Sequence, residues 1–301
     1  MLHSRMLRYL DEVARAGSIR KAAGRLNVAS SAINRQILAL EQELGTPIFE
    51  RLRKRLRLTA TGETLIGHVR QTLREYERVR ARIEDLKGLR RGKVSVATMS
   101  GIAGSILPSI IASFRQQHPA VQVEATVLSV GEIVAAVVNG EADIGLGFDL
   151  PADPALRTVG SFECRLGAAV KPGHPIAVKN SVSLSACLGY PIILAESGLT
   201  LRDALDAAFA RSTIKIVPAI ETNAIELIKR AAVLDLGIAF LNQVDIADER
   251  KRGQIAFVPL NDRHVKPQLL KIVHRAKGGI DPLANLFAEE IKATFDDLVG
   301  A

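Results

Sequence analysis

Hydrophobic residues along the first ninety positions recur at helical spacing. Met6, Leu10 and Val13 form a stripe that ends at Gly17, a residue suited to close a helix. Ser18 is placed to cap the next helix, "IRKAAGRL", whose Ala22, Ala23 and Leu26 face inward and whose alanines permit a close helix crossing. After a short turn, "NVAS", comes a third helix in which Ile33, Ile37 and Leu40 lie four and three apart. Stepping about 100° per residue, Ser31, Arg35, Leu38 and Gln42 fall opposite Ile33, with Asn34 on the flank. Helix, short turn and helix with a polar N-terminal face is the helix-turn-helix arrangement, whose second helix enters the major groove of DNA. Gly45 ends this helix and Pro47 stops helical structure. "RLRKRLRLT" then alternates, Leu52, Leu56 and Leu58 between Arg51, Arg53, Arg55 and Arg57, a pattern for a small β-wing with basic side chains outward.

From Thr59 to about Leu89 there is no proline. Ile66, Val69, Leu73 and Tyr76, then Val79, Ile83 and Leu86, run at spacings of three and four, a coiled-coil seam with a local stammer. So narrow an apolar stripe requires a partner; the same helix of a second subunit is the expected one, and packing against the chain's own C-terminal domain is the alternative. "GLRRGK", residues 88–93, reads as a hinge.

From Lys93 the period changes to short apolar strands alternating with helices. "KVSVATM", "VQVEATVL", "ADIGLGF", "PIILAE", "TIKIVPAI", "GIAFL" and "IAFVPL" read as strands. "GIAGSILPSIIASFRQQH", "GEIVAAVVNG", "LTLRDALDAAFARS" and "AIELIKRAAV" read as helices, the first interrupted but not necessarily ended by Pro108. This pattern predicts an α/β domain with largely parallel sheets. Four strand-to-helix junctions, "TMSG" (98–101), "LSVGE" (128–132), "ESGLT" (196–200) and "ETNA" (221–224), place hydroxyl, amide or glycine residues at carboxyl strand ends. Ligands of open α/β sheets lie there, beside the unpaired N–H groups of helix N-termini.

The length of 301 residues allows two or more domains. Charge sharpens the division. Residues 1–92 hold 20 Lys and Arg against 10 Asp and Glu, a net +10, and residues 93–301 hold 20 against 22, a net −2. A basic module joined to a nearly neutral one suggests polyanion binding at one end and another task at the other. No apolar run approaches the roughly 18 residues of a membrane span, and the start lacks the apolar core of a signal peptide, so a cytoplasmic protein is expected. Cys164 and Cys187 have neither disulfide-framework nor metal-ligand spacing. They read as ordinary reduced thiols.

Residues 1–92 resemble the DNA-binding end of LysR-type transcriptional regulators. The likeness is carried by "GSIRKAAGRLNV", "SAINRQILALEQELGTPIFER" and "RLTATGE". Ser30 and Ser31 stand where that family often has Gln-Pro, and Asn34 where Ser is frequent. These departures bear on which operator is read. Residues 93–301 resemble the family's effector-binding domain through "SVATMSG", "FRQQHP", "EADIGLGF", "VKPGHP" and "AAVLDLGIAFL".

The resemblance implies a winged helix-turn-helix (1–58), a linker and dimerisation helix with its hinge (59–92), and a two-lobed α/β domain similar to periplasmic binding proteins (93–301). Within that domain, lobe I is 93–160 with 267–301 and lobe II is 161–266, the chain crossing near Gly160 and returning near Lys266. The implied DNA-binding residues are Ser18, Ser30, Ser31, Asn34, Arg35, Arg51, Arg53 and Arg55. The implied effector site holds Ser100, Ser129, Gly198 and Thr222. Glu196, if it points inward, would repel a carboxylate effector and favour an amine or a bound water. Expected partners are promoter or operator DNA, a small-molecule effector, a second copy or a tetramer of this chain, and RNA polymerase. No cofactor, metal or membrane is expected.

Rival classes fit less well. "GLGFDL" lacks the third glycine of a dinucleotide fingerprint, and "GIAGS" lacks the Lys-Ser/Thr of a P-loop. His118, His174, His264 and His274 are scattered and form no metal-spaced cluster. A periplasmic solute receptor would lack the basic module. A nucleoid protein without sequence preference would have no use for a ligand-type domain of about 200 residues.

Overall fold

In the computed structural model, residues 5–52, 55–86, 92–209 and 216–299 are described, with backbone alone for residues 51, 52 and 55 and for much of the linker helix beyond residue 73. The chain divides into two compact units, residues 1–91 with 139–141 and residues 92–138 with 142–301. Among the described residues no helix is long and apolar enough to cross a membrane.

The first unit begins with α1 (Arg5–Ala16), α2 (Ile19–Leu26) and α3 (Ser30–Leu44). Their stripes meet in one core, where Leu10, Val13, Ala22, Ala23, Ile33 and Ile37 are buried. Asn27 closes α2 in the left-handed region at φ 55°, which a short polar side chain tolerates. Gly45 closes α3 at φ 67°. A two-stranded wing follows, β1 (Phe49–Leu52) and β2 (Arg55–Leu58), then α4 (Ala60–Leu86).

Two expectations change here. The wing's antiparallel register pairs Arg51 with Leu56 and Leu52 with Arg55. Directly paired residues share a sheet face, so Leu52 does not share a face with Leu56 and Leu58. Because Leu52 pairs with Arg55, each pair joins an odd-numbered position to an even-numbered one, which shifts the alternation by one between the strands. The linker seam is also partly used internally. Ile66 and Val69 are buried in the core of the first unit, and Leu73 packs against it, whereas Val79 is 51% exposed. The surface left for a partner helix therefore starts near Leu73. Ile83 and Leu86 have no described side chains, and residues 88–91 of the expected hinge lie outside the described residues.

The second unit starts with β3 (Gly92–Thr98), α5 (Ser100–Gly104), α6 (Leu107–Gln117), β4 (Val121–Val127), α7 (Val130–Val138), β5 (Ile144–Phe148) and β6 (Leu156–Cys164). It continues with β7 (Leu166–Val170), α8 (Leu184–Cys187), β8 (Ile192–Ala195), α9 (Thr200–Phe209), β9 (Ile220–Thr222) and α10 (Ile225–Val233). The last elements are β10 (Ile238–Asn242), α11 (Ala247–Lys251), β11 (Ala256–Pro259), β12 (Gln268–Arg275) and α12 (Pro282–Val299).

They form two five-stranded sheets, ordered β4-β3-β5-β12-β6 and β9-β8-β10-β7-β11. In each, three strands are parallel and two further pairings are antiparallel. The sheets are thus mixed rather than largely parallel. One strand in each sheet runs against the other four: β12 in the first and β7 in the second. The chain leaves the first sheet after Cys164, later than Gly160, and rejoins it at Gln268.

One face of the first sheet is covered by α6 and α12, through Ile110, Phe114, Phe287 and Phe295. The other face is covered by α7, through Ile133 and Val137. The second lobe has one core built on Ala168, Ile193, Leu205, Ile228 and Phe240.

The helix expected over 101–118 is two. A proline clashes with the carbonyl four residues back inside a helix; the chain breaks at Ser105, and Pro108 stands in the first turn of α6. The strand expected over 213–220 is also different. Residues 213–215 lie outside the described residues, Ile216–Pro218 are not in a strand, and β9 begins only at Ile220.

Candidate DNA-reading face and effector cleft

The helix pair is fixed at its entry and at its far end. Ser18 caps α2, its hydroxyl accepting the Lys21 N–H at 3.4 Å. That explains Ser18 as a structural cap that fixes the entry to the motif. At the far end of α3, the Glu41 carboxylate accepts the backbone N–H of Ile48 at 2.8 Å and of Phe49 at 3.2 Å. This ties the helix to the start of the wing.

Opposite the buried Ile33 and Ile37, residues Ser31, Arg35, Leu38 and Gln42 are exposed; Ser30 is exposed at the helix start, and Asn34 is half-buried. The first turn of α3 has no acidic residue, so the positive end of its dipole is not neutralised by its own side chains. Exposed hydroxyls, a guanidinium and a helix N-terminus are groups that bond phosphates and base edges.

Behind the wing, Thr59 organises the start of α4. Its hydroxyl donates to the Pro47 carbonyl at 2.7 Å and accepts the Gly62 N–H at 3.0 Å, while its own N–H donates to the Ile48 carbonyl at 3.0 Å. A Cβ on Gly62 would lie 2.1 Å from the Ile48 carbonyl oxygen. Only glycine lets α4 approach so closely. Arg57 is exposed on β2. Arg51 and Arg55 have only their backbone placed, on β1 and β2, and Arg53 lies outside the described residues. On α4, Arg70 pairs with Asp11 of α1 at 2.8 Å and so belongs to the fold.

In the second unit, each lobe joins its own two junctions at the carboxyl ends of its strands. The Leu128 N–H donates to the Thr98 carbonyl at 2.9 Å, and the Glu196 N–H to the Thr222 carbonyl at 2.9 Å. Across the lobes, the 98–101 junction meets the 221–225 junction, where a Cβ on Gly101 would lie 3.4 Å from the Ile225 side chain.

The four expected effector residues differ in what they have free. Ser100 opens α5, is half-buried, and has no hydrogen-bond partner among the described residues. Thr222 is half-buried and its hydroxyl accepts the Ala224 N–H at 3.2 Å. Gly198 is exposed with φ 94°, a conformation that favours glycine. Ser129 is engaged: its N–H and hydroxyl both donate to Glu132, at 2.9 and 2.6 Å. The hydroxyl bond, then the N–H bond, holds the Glu132 carboxyl below its ordinary value. An internal carboxylate thus occupies the start of α7.

Several contributing residues carried no sequence signal of their own. Glu41 lies in the stretch that carries the family likeness, but its bond to the start of the wing shows only in the fold. Asp149, Asn242 and Gln268 form a chain where the strands cross between lobes: the Asn242 amide donates to Gln268 at 2.7 Å, and the Gln268 amide to Asp149 at 2.8 Å. They are distant in sequence and meet only in the fold. For Thr59 and Gly62, "LTATGE" was the available signal.

A helix-turn-helix with an exposed polar face, and a two-lobed α/β domain with hydroxyl-bearing junctions, together define a ligand-responsive DNA-binding regulator. Two family models agree with that division. Residues 4–63 match the bacterial regulatory helix-turn-helix of the lysR family, and residues 87–296 match the LysR substrate binding domain. The chain belongs to the LysR family and is a transcriptional regulator of that type.

Among similar proteins is a probable RuBisCO transcriptional regulator of Emiliania huxleyi, 28% identical over 293 residues, covering 95% of this chain and 92% of that one. Another of the same description, from Trichormus variabilis, is 29% identical over 299 residues, covering 96% and 87%. Among solved structures, a full-length OxyR variant from Pseudomonas aeruginosa has a TM-score of 0.72 at 21% identity, covering 97% of this chain and 93% of that one. Full-length CbnR in complex with its target DNA has a TM-score of 0.64 at 23% identity, covering 96% and 99%. These structures share the fold.

Proposed function

We propose that this regulator reads its operator with the N-terminal half of α3, through Ser30, Ser31, Asn34 and Arg35, and that wing arginines 51, 53 and 55 follow the phosphates. The observation that carries this is the exposed face of α3, with Ser31 and Arg35 opposite the buried Ile33 and no acid in the first turn. Ser18 acts by fixing α2 rather than by touching DNA. The chain works as a homodimer or homotetramer through the outer part of α4, in the cytoplasm beside the chromosome, with RNA polymerase as its onward partner. It performs no catalysis.

The effector binds between the lobes, with Ser100 and Thr222 as its hydroxyl contacts and Gly198 supplying backbone. Every charged side chain at the four junctions is acidic. Glu132 is bonded to Ser129 and Glu221 is paired with Arg202 at 2.6 Å. Glu196 has no ion pair among the described residues. The charge pattern favours a neutral or amine-bearing metabolite over a simple carboxylate.

The test is retention of a labelled fragment from the protein's own upstream region against excess random DNA, followed by footprinting. Promoters of carboxylase genes form a second panel, because the similar regulators named above carry that description. A regulator keeps one fragment; loss of every fragment to random competitor overturns the reading of α3.

A further inference from the structure

The lobes touch through a charged seam that the effector site does not use. On the first lobe, α5 is Ser-Gly-Ile-Ala-Gly and brings no titratable group. A Cβ on Gly101 would lie 2.1 Å from the Asp245 Oδ1, and one on Gly104 would lie 2.2 Å from the Glu226 Oε1. The Ser105 hydroxyl donates to the Val244 carbonyl at 2.7 Å. Three neighbouring points of one lobe thus press on carboxylates and backbone of the other.

On the second lobe, Lys229 is only 2% exposed, with its Nζ 2.9 Å from both Glu226 and Glu249. That trio already carries one more negative than positive charge. Asp245 adjoins it, buried, with the Asn242 N–H at 3.3 Å as its hydrogen bond. Burial pushes the Asp245 carboxyl up to about 7; the Asn242 N–H and Lys229 oppose this, while Glu226 and Glu249 add to it. Cys164 lies close by, and burial followed by Asp245 pushes its thiol up to about 12. It is neutral at any working pH.

We propose that this seam is a proton-operated latch, in which a neutral Asp245 lets α5 seat on the second lobe and its ionisation loosens the contact. Glu226 is exposed at the edge of the seam, but Asp245 is buried, and the one cation beside it is already shared by two carboxylates, so its charge would have no cation left to meet it. The domain then relieves it by letting water reach Asp245, which requires α5 to lift. The angle between the lobes, and with it the cleft, becomes dependent on pH near neutrality.

The sign follows from linkage. Asp245 is held above its ordinary value, so the folded chain keeps a proton that the unfolded chain has released. The contribution to stability is whole below about pH 4, declines as pH rises, and is lost as pH passes about 7.

The full-length protein allows a direct test, because both native cysteines are buried and their thiols are pushed up to about 12. Spin labels at Gln122→Cys and Val178→Cys, both exposed positions, then report the spacing between lobes. A spacing that is narrow at pH 6 and broader or shifted at pH 8, with no such change in an added Asp245→Asn, is the expected result. An unchanged spacing in the parent, or the same change in Asp245→Asn, overturns the latch. Carboxyl NMR of the unsubstituted chain labelled at aspartate needs no variant: one group titrating near 7 is expected, and all titrating below 5 refutes it. Neither readout uses DNA or effector, so the latch and the proposed function fail separately.

Discussion

The Glu41 carboxylate, near the end of the recognition helix, accepts the backbone N–H of Ile48 at 2.8 Å. Because the same carboxylate also takes the Phe49 N–H, it fixes the angle between α3 and the wing. Glu41→Ala leaves two partly buried donors unpaired, a loss of about 1–3 kcal/mol. Faster hydrogen exchange at the Ile48 and Phe49 amides is expected, with Glu41→Gln less affected because it keeps an acceptor. Unchanged protection in Glu41→Ala would show that the brace is dispensable.

Gly62→Ala sets a Cβ against the Ile48 carbonyl, a backbone atom that cannot rotate away. Overpacking of this kind costs about 1–3 kcal/mol or more. The start of α4 must shift, moving the wing. A lowered unfolding temperature of the first unit together with weaker DNA binding is the expected pair of results, and normal values for both would place the helix elsewhere.

Two classes of arginine should separate in binding assays. If Arg35 reads a base edge, as proposed, Arg35→Ala should relax sequence preference by about 1–3 kcal/mol. Arg55→Ala and Arg57→Ala should weaken binding to all sequences and lower the salt slope by about one each. If Arg35→Ala keeps full selectivity, α3 is not the reader.

Along α4, Val79 and Leu73 should behave differently. Leu73 packs against the first unit's own core, so Leu73→Asp should lower both stability and association. Val79 is half exposed, so Val79→Asp should leave the unfolding temperature nearly unchanged yet dissociate the oligomer in sedimentation. An intact oligomer in Val79→Asp would move the interface off this helix.

Ser100→Ala and Thr222→Ala should reduce the thermal shift produced by whichever member of a metabolite panel stabilises the protein, with basal DNA binding preserved. Ser129→Ala should matter less to the ligand, because its hydroxyl is already bonded to Glu132. It should instead return the Glu132 carboxyl towards its ordinary value, measurable by NMR titration. A full thermal shift in the double Ser100, Thr222 variant would place the effector outside the cleft.

The first unit was legible because its structure is local: stripes, caps and turns occur within a few residues of one another. The four hydroxyl-bearing junctions were legible for the same reason. What escaped depended on distant pairing. β12 is flanked by β5 and β6 from more than a hundred residues earlier, and nothing in "QLLKIVHR" announces those neighbours. β7, "LGAAV", is wholly buried, but its glycine and alanines have weak strand preference. "TIKIVPAI" misled in the opposite sense, its β-branched residues suggesting a strand that does not form at Ile216–Pro218. The wing's leucines divided between faces because the pairing of Leu52 with Arg55, not the alternation along the chain, decides which positions face each other.

The double crossing of the chain has a consequence for synthesis. The second lobe's sheet is contiguous in sequence, from Leu166 to Pro259, whereas the first lobe's core needs Phe287 and Phe295 of α12. A ribosome finishing this chain therefore releases a completed second lobe before the first can close, although the first lobe's strands emerge earlier. Until α12 arrives, that face of β3 and β5 is covered by α6 alone. Chaperone capture of nascent chains should consequently be strongest between completion of β6 and release, and truncation before Phe287 should leave a soluble second lobe tethered to an unfolded first.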